Sequence, residues 1–320
     1  MGSYIIRRLL WIPITVIAVS ILVFLMVRFI PGNIVDLIIA QSSQGNVDVV
    51  ADRLAVMHAF GLDVPVYVQY VHWVGNLVLH GSLGISMWDN TNITSDIMQS
   101  LPVTMELGIM AILVGIIISI PIGVYSAIRQ DTIPDYILRS FAVILISIPA
   151  FWIGTMIMIY PAIWWGWSPP MQLIPFAKDP LGNLGQFILP AVVLGAGLTG
   201  SSMRMTRTMV LEVLRQDYTR TAWAKGLSER VIVTRHVMRN ALIPVITIIG
   251  MQLPMIIGGS VIIEDIFSLP GIGRLMIEAL SQRNYPMVSG INLILATFVI
   301  IINLVVDLTY GFLDPRIHYQ

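Results

Sequence analysis

Cysteine is absent from the 320 residues, which excludes disulfides, thiolate metal sites and cysteine nucleophiles. Charge is scarce: Asp, Glu, Lys and Arg make up 11% of the chain against 56% hydrophobic residues, and the mean hydropathy is +0.83. So few charges cannot clothe a water-exposed surface, and the composition is that of an integral membrane protein. The 18 basic and 18 acidic residues cancel, which argues against attraction to nucleic acid. Lysine occurs only as Lys178, followed by Asp179, and Lys225, followed by Gly226, so the phosphate-cradling loop G-x-x-x-x-G-K-[ST] cannot be present. The H-E-x-x-H zinc helix and the G-x-S-x-G elbow are missing too, and the five histidines are scattered. His58, His72 and His80 fall in one segment, where surface histidines are commoner than ligands, so neither a metal nor a catalytic residue is assigned. Carboxylates are also missing from the middle of the apolar windows. Arg28, Glu106 and Asp307 each lie near a window end, where snorkelling or pairing accounts for them, so ion coupling through a midplane charge lacks a candidate.

What is present is length of apolar sequence. A bilayer core of about 30 Å needs roughly 20 apolar residues in a helix, because every backbone polar group must be satisfied within the segment. Six charge-free windows meet that need: Leu9 to Val27, Leu107 to Ile128, Phe141 to Trp165, Leu181 to Met203, Ala241 to Ile263 and Met287 to Val306. The fourth opens on glycine and asparagine, so its span is expected to start near Phe187 and to run past Arg204. The first window is too long for a signal-peptide core and lacks a small-residue cleavage site, which makes it an uncleaved span.

Basic residues are retained on the cytoplasmic side. Eight of them lie between Arg204 and Arg239, against the acidic Glu212, Asp217 and Glu229, which places this loop in the cytoplasm. Arg129 and Arg139, the N-terminal Arg7 and Arg8, and the tail with Arg316 then share that side. The segment from Pro31 to Leu101 carries Arg53 as its one Lys or Arg and is external, as is the loop with Lys178. The expectation is an all-α integral membrane protein of about six spans, multi-pass, with both termini cytoplasmic. It divides into a first helix (1–30), an external segment (31–101) and a core (102–320) whose cytoplasmic loop covers about 204–240. The external segment is too long for a plain connection, and its Tyr67, Tyr70, Trp73 and Trp88 suggest short helices near the membrane surface. Trp164, Trp165 and Trp167 read as an interfacial anchor.

The most informative stretch runs from Asp217 to Ser228 and on to Pro244. Two helical pieces flank a break at Gly226, and Ser228 is placed to cap the second. Thr221, Ala222 and Ala224 alternate with Arg220, Trp223 and Lys225, giving a short amphipathic helix with a narrow face that could enter a partner's groove. A basic loop bound to anionic headgroups explains the same composition equally well.

Thr221-Ala222-x-x-x-Gly226 resembles the coupling-loop motif, the EAA loop, of importer-type ABC transporter permeases. The longer string Asp217-Tyr218, Arg220-Thr221-Ala222, Ala224-Lys225-Gly226-Leu227-Ser228, Arg235-His236 and Arg239 to Pro244 is similar to the B-type subunit of the di- and oligopeptide (and nickel) permease branch. Similarity extends along nearly the whole chain, through Gly61 to Pro65, Ile148-Pro149 with Phe151-Trp152, Ile188 to Ala191, Gly258-Gly259, Glu264 with Ile266-Phe267, Pro270-Gly271 with Gly273, Tyr285-Pro286 and Asp314 to Ile317. Each is weak alone; their order and spacing carry the resemblance. Departures are Arg220, where the general motif has glutamate, and Ser82, where the branch often has aspartate.

The resemblance implies the type I permease fold of ABC importers in a prokaryotic plasma (inner) membrane. It implies a chain without an ATPase site or cofactor of its own. Its partners would be a homologous second permease, two cytoplasmic ATPase subunits that bind ATP and magnesium, and an extracytoplasmic substrate-binding protein, all around a lipid bilayer. Asp217, Arg220, Thr221, Ala222, Ala224, Lys225, Gly226, Leu227 and Ser228 would form the ATPase-coupling element. The cargo implied is di- or oligopeptides, with nickel complexes, glutathione or oligosaccharides as alternatives within the family. A self-contained ion-coupled carrier and a membrane enzyme are the alternatives from other classes. Ser147, Gln252, Asn292 and Asn303 are the polar groups in the spans that could line a path, and each could equally make an ordinary interhelical hydrogen bond.

Overall fold

The computed structural model describes residues 2–28, 54, 57–58, 61–170 and 172–313, with side chains from 10 to 309 among them. The expectations for most of 31–60, for the side chains of Arg7 and Arg8 and for the tail with Arg316 lie outside the described residues. The described chain is helical: α1 (Gly2–Arg28), α2 (Val66–His80), α3 (Ile93–Ile128), α4 (Ile133–Ser147), α5 (Ala150–Trp165), α6 (Pro180–Leu214), α7 (Asp217–Ala224), α8 (Met238–Ile266), α9 (Ile272–Ser281) and α10 (Tyr285–Leu313). One isolated bridge, Ile85 with Asn92, is the extended pairing among these residues. Stretches within α1, α3, α6, α8 and α10 are long and apolar enough to cross a membrane, and α4 with α5 makes a sixth if that bent pair is one span.

Two of the expected windows change. Phe141 to Trp165 is not one straight helix: α4 and α5 meet at a bend of 93°. Pro149 has no N–H to donate and pushes Ile148 out of the helical region, to φ −91° and ψ 125°, so the ladder stops there and restarts at Ala150. The fourth window starts seven residues earlier than Phe187, at Pro180. Asp179 caps that end by accepting the Gly182 N–H at 2.9 Å. The amides that made this stretch look unlike a span are consumed by a neighbouring loop. Gln186 donates to the carbonyls of Pro170 and Gln172 and accepts the Ile174 N–H, while Asn183 donates to the Ile174 carbonyl.

By compactness the chain falls into two units. One holds Met1–Ile5, Val103–Gly273 and Ile301–Gln320; the other holds Ile6–Pro102 and Arg274–Ile300. In the first, α6 is the central helix, packed by α4, α5 and α8 around a core that includes Leu107, Ala111, Phe187, Ala191, Val245 and Ile263. Small residues permit the approach. A Cβ on Gly195 would lie 2.6 Å from the Ala111 carbonyl oxygen of α3, and one on Gly200 would lie 2.7 Å from that of Ala142 on α4. Thr199 and Thr206 return their hydroxyl protons to carbonyls one turn back, so these polar side chains sit in the helix interface without a lost partner.

The second unit builds a small folded element from α1, α2 and the turn that follows α2. Ser20 and Tyr70 share a hydrogen bond of 2.8 Å, and the Phe24 ring meets those of Tyr70 and Trp73. Asn284 donates to Ser86 Oγ at 2.8 Å, and the Trp88 indole donates to the Gln282 carbonyl at 2.8 Å. A cavity of about 800 Å³ opens here among Arg28, Gln69, His72, Trp73 and Tyr285.

Candidate functional site

At 1.5 Å per residue, the 35-residue α6 is about 52 Å long, well beyond a bilayer core of about 30 Å. The excess carries the chain out to the predicted loop. Leu214 ends the helix, Arg215 and Gln216 make the corner, and Gln216 is extended at φ −72° and ψ 150°. The eight-residue α7 follows. It is bound to its own chain along one side: Thr219 donates to the Val213 carbonyl at 2.9 Å, and Asn240 donates to the Tyr218 hydroxyl at 2.8 Å. Thr219 and Ala222 are buried, the latter in a cluster with Ala127 of α3, Val210 of α6, Ile232 and Val237 ahead of α8, and Ala241 in its first turn.

The remaining face of α7 is open. Asp217, Arg220, Thr221, Ala224, Lys225, Gly226 and Ser228 are exposed, Leu227 is half-buried against the cluster, and the apolar Trp223 keeps 45% of its surface accessible. Asp217 and Arg220 approach to 3.6 Å in full solvent contact, a pair that contributes little to stability. Gly226 stops the helix in a left-handed turn at φ +79°, with its N–H on the Trp223 carbonyl at 2.9 Å. Nothing lies within 4 Å of where its Cβ would be, so backbone conformation rather than space demands glycine. Ser228 occupies the cap position of a helical turn at Glu229–Val231 but its side chain makes no capping hydrogen bond. That turn passes into a π-helical turn, Ile232–Val237, before α8; such turns are uncommon and often sit at functional sites.

Sequence reasoning missed an ion pair between α4 and α6. Asp135, in the first turn of α4, is fully buried, and Arg207 of α6 grips both its oxygens, Nε to Oδ1 at 2.8 Å and Nη2 to Oδ2 at 2.7 Å. Ser126 of α3 donates to Oδ1 at 2.5 Å and the Asp131 N–H to Oδ2 at 3.0 Å. The two charges are 72 residues apart, and no local pattern announces their meeting.

Of the polar span residues, Gln252 of α8 accepts the Ser201 hydroxyl of α6 at 2.7 Å. It lies beside Met251 and Met255, which are 66% and 75% exposed. Ser147 donates to the Val143 carbonyl at 2.8 Å at the α4 break, and Asn292 to the Val288 carbonyl at 2.9 Å on α10. Asn303 is exposed farther along α10. Of these four, Gln252 is the one whose side chain bonds to a second helix. Among the described residues no group of three His, Asp or Glu could hold a metal ion.

An all-helical chain of several spans, with α7 presented beyond a long central helix, has the fold of type I ABC importer permeases. Two solved transporters share it over 68% of this chain. One is an amino acid ABC transporter solved with histidines (TM-score 0.51, 12% identity, 94% of that chain covered). The other is the MetNI methionine ABC transporter in inward-facing conformations (TM-score 0.52, 16% identity, 96% covered). The chain belongs to the family of binding-protein-dependent transport system inner membrane components, whose model matches residues 119–319, with the family's N-terminal model matching residues 1–108. It is similar to the dipeptide transport system permease protein of Escherichia coli, at 37% identity over all of both chains, and to the oligopeptide transport system permease protein of Bacillus subtilis, at 38% over all of both.

Proposed function

We propose that this chain forms half of the translocation path of an ABC importer for di- or oligopeptides, pairing with a homologous permease, two ATPase subunits and an extracytoplasmic binding protein. The observation that carries the mechanism is α7: an eight-residue helix anchored to its own chain through Thr219 and Ala222, with Thr221, Ala224 and Lys225 left open beside Trp223. An exposed rigid helix of this kind fits a groove on the ATPase, which would hold ATP and magnesium. Closure of the ATPase dimer then pushes α7, and the packed helices behind it carry the displacement across the membrane. The basic balance of 204–239 supports a cytoplasmic α7, with both termini on the same side. The peptide assignment rests on likeness to the two peptide permeases over the full length of the chain. Gln252, Ser147, Asn292 and Asn303 are proposed as polar groups of the path, with Gln252 the first to change because it stands beside exposed Met251 and Met255.

The test is reconstitution of the complex in vesicles with a labelled dipeptide and its binding protein. Uptake is expected to require ATP and to ignore imposed proton or sodium gradients. Gly226→Val, which strains the left-handed turn that ends α7, is expected to lower uptake at least ten-fold. Ion-driven uptake by this chain alone would replace the reading with a self-contained carrier, and unchanged uptake by Gly226→Val would remove α7 from the mechanism.

A further inference from the structure

Helix α7 can transmit force only if the segment it is attached to does not yield. Its anchor is the end of α6, where Thr219 reaches back to Val213 and Ala222 packs beside Val210. Two turns before that end, Arg207 leaves α6 and closes on Asp135 with both arms of its fork. A guanidinium and a carboxylate joined at two points fix orientation as well as distance, unlike a lysine, whose single ammonium swivels. The same carboxylate takes the Ser126 hydroxyl of α3 and the Asp131 N–H of the turn between α3 and α4. One buried group therefore ties three helices at one level.

The packing around the tie leaves it little slack. A Cβ on Gly123 of α3 would lie 2.8 Å from the Met203 carbonyl oxygen, and the Gly200 contact with Ala142 of α4 is equally close, so the helix backbones nearly touch within two turns of Arg207. Farther out, Arg215 lies 3.5 Å from Gln130 across the same junction. The pair also stands apart from the open face of α7. Asp135 is fully buried and Arg207 retains 17% of its side-chain surface, so neither is offered to a partner groove.

We propose that Asp135 and Arg207 are positioning residues for transport: their forked pair makes the ends of α3, α4 and α6 move as one body with α7, and so sets how much substrate crosses per ATP hydrolysed. This rests on the reading of α7 as the coupling helix. A pair that merely held the fold together would govern how much complex assembles. A pair that transmits displacement governs the ratio of transport to hydrolysis in the complex that does assemble.

The experiment uses the complete reconstituted transporter and reads labelled dipeptide imported per ATP hydrolysed. Arg207→Lys keeps the charge and removes the fork. It is expected to leave ATP hydrolysis within two-fold of the parent while the transport ratio falls five-fold or more. A ratio equal to the parent's, with only a lower yield of complex or a lower melting temperature, would reduce the pair to a structural role and overturn the proposal.

Because the chain is free of cysteine, a second measurement does not depend on that variant. Cysteines placed by Gln130→Cys and Arg215→Cys, both exposed, are joined by a short bifunctional maleimide, with the parent complex, in which this chain has no cysteine, treated alike as the control. If the junction moves as one body, the cross-linked transporter retains its transport ratio. Arrest of transport by the cross-link would show that α6 slides against the α3–α4 turn in the cycle, and would overturn the proposal. Failure of the underlying reading looks different, since Gly226→Val would then leave uptake unchanged, or the parent complex would show no ATP-dependent uptake at all.

Discussion

At the scale of single residues, buried polar groups do more to define this chain than its abundant aliphatics. Glu264 is fully buried at the end of α8, and its Oε2 accepts the Gly273 N–H at 2.7 Å. Thr104 accepts the adjoining Ile272 N–H at 2.8 Å, so two backbone donors at the start of α9 are met by side chains. The turn is closed by glycine. A Cβ on Gly271 would run into the Glu264 carboxylate and lie 2.8 Å from the Thr104 hydroxyl oxygen. Glu264→Ala leaves the Gly273 N–H without this acceptor, and purified protein in detergent is expected to lose about 1–3 kcal/mol. Glu264→Gln keeps a neutral acceptor and should lose less. Equal melting temperatures for Glu264→Ala and the parent would show that the carboxylate does not hold this turn. The sequence offered Glu264, Gly271 and Gly273 only as members of a resemblance; their bonds give those positions a physical reason. Asp135 and Arg207 had no such signal, because a contact across 72 residues is a property of the packing.

At the scale of elements, the apolar windows were readable because the bilayer imposes both length and composition on a span. Their ends were less readable. Asn183 and Gln186 look like loop residues until the structure shows them buried and bonded to the chain from Pro170 to Ile174, and α6 accordingly begins at Pro180. Pro149 stood in plain view, yet it served the sequence reading as a motif and not as the break that turns α5 through 93° from α4. The helix after Gln216 and its stop at Gly226 were legible from composition and glycine. What composition could not give was which side of α7 the chain keeps for itself: Ala222 is 6% exposed, so it is an anchor, while Thr221 and Ala224 stay open. Thr219→Val retains the shape of that buried side chain and deletes its bond to Val213. The coupling reading expects α7 to loosen by about 1 kcal/mol, seen as faster amide exchange from 217 to 224 with α6 unchanged. Identical exchange would mean that the apolar cluster alone seats the helix.

At the scale of the whole molecule, the coupling role proposed for α7 implies a division of labour. In that proposal the chain supplies the spans and the exposed α7, and hydrolysis falls to a partner. Family membership, the type I fold and the likeness to peptide permeases fit that arrangement, and the assignment of α7 to an ATPase groove is its central claim. Its most direct test is site-specific photocross-linking in the reconstituted complex. A photoreactive residue at Lys225 is expected to capture the ATPase subunit, and one at exposed Lys178 is expected to capture none. Capture of the ATPase at Lys178, or of lipid alone at Lys225, would contradict it.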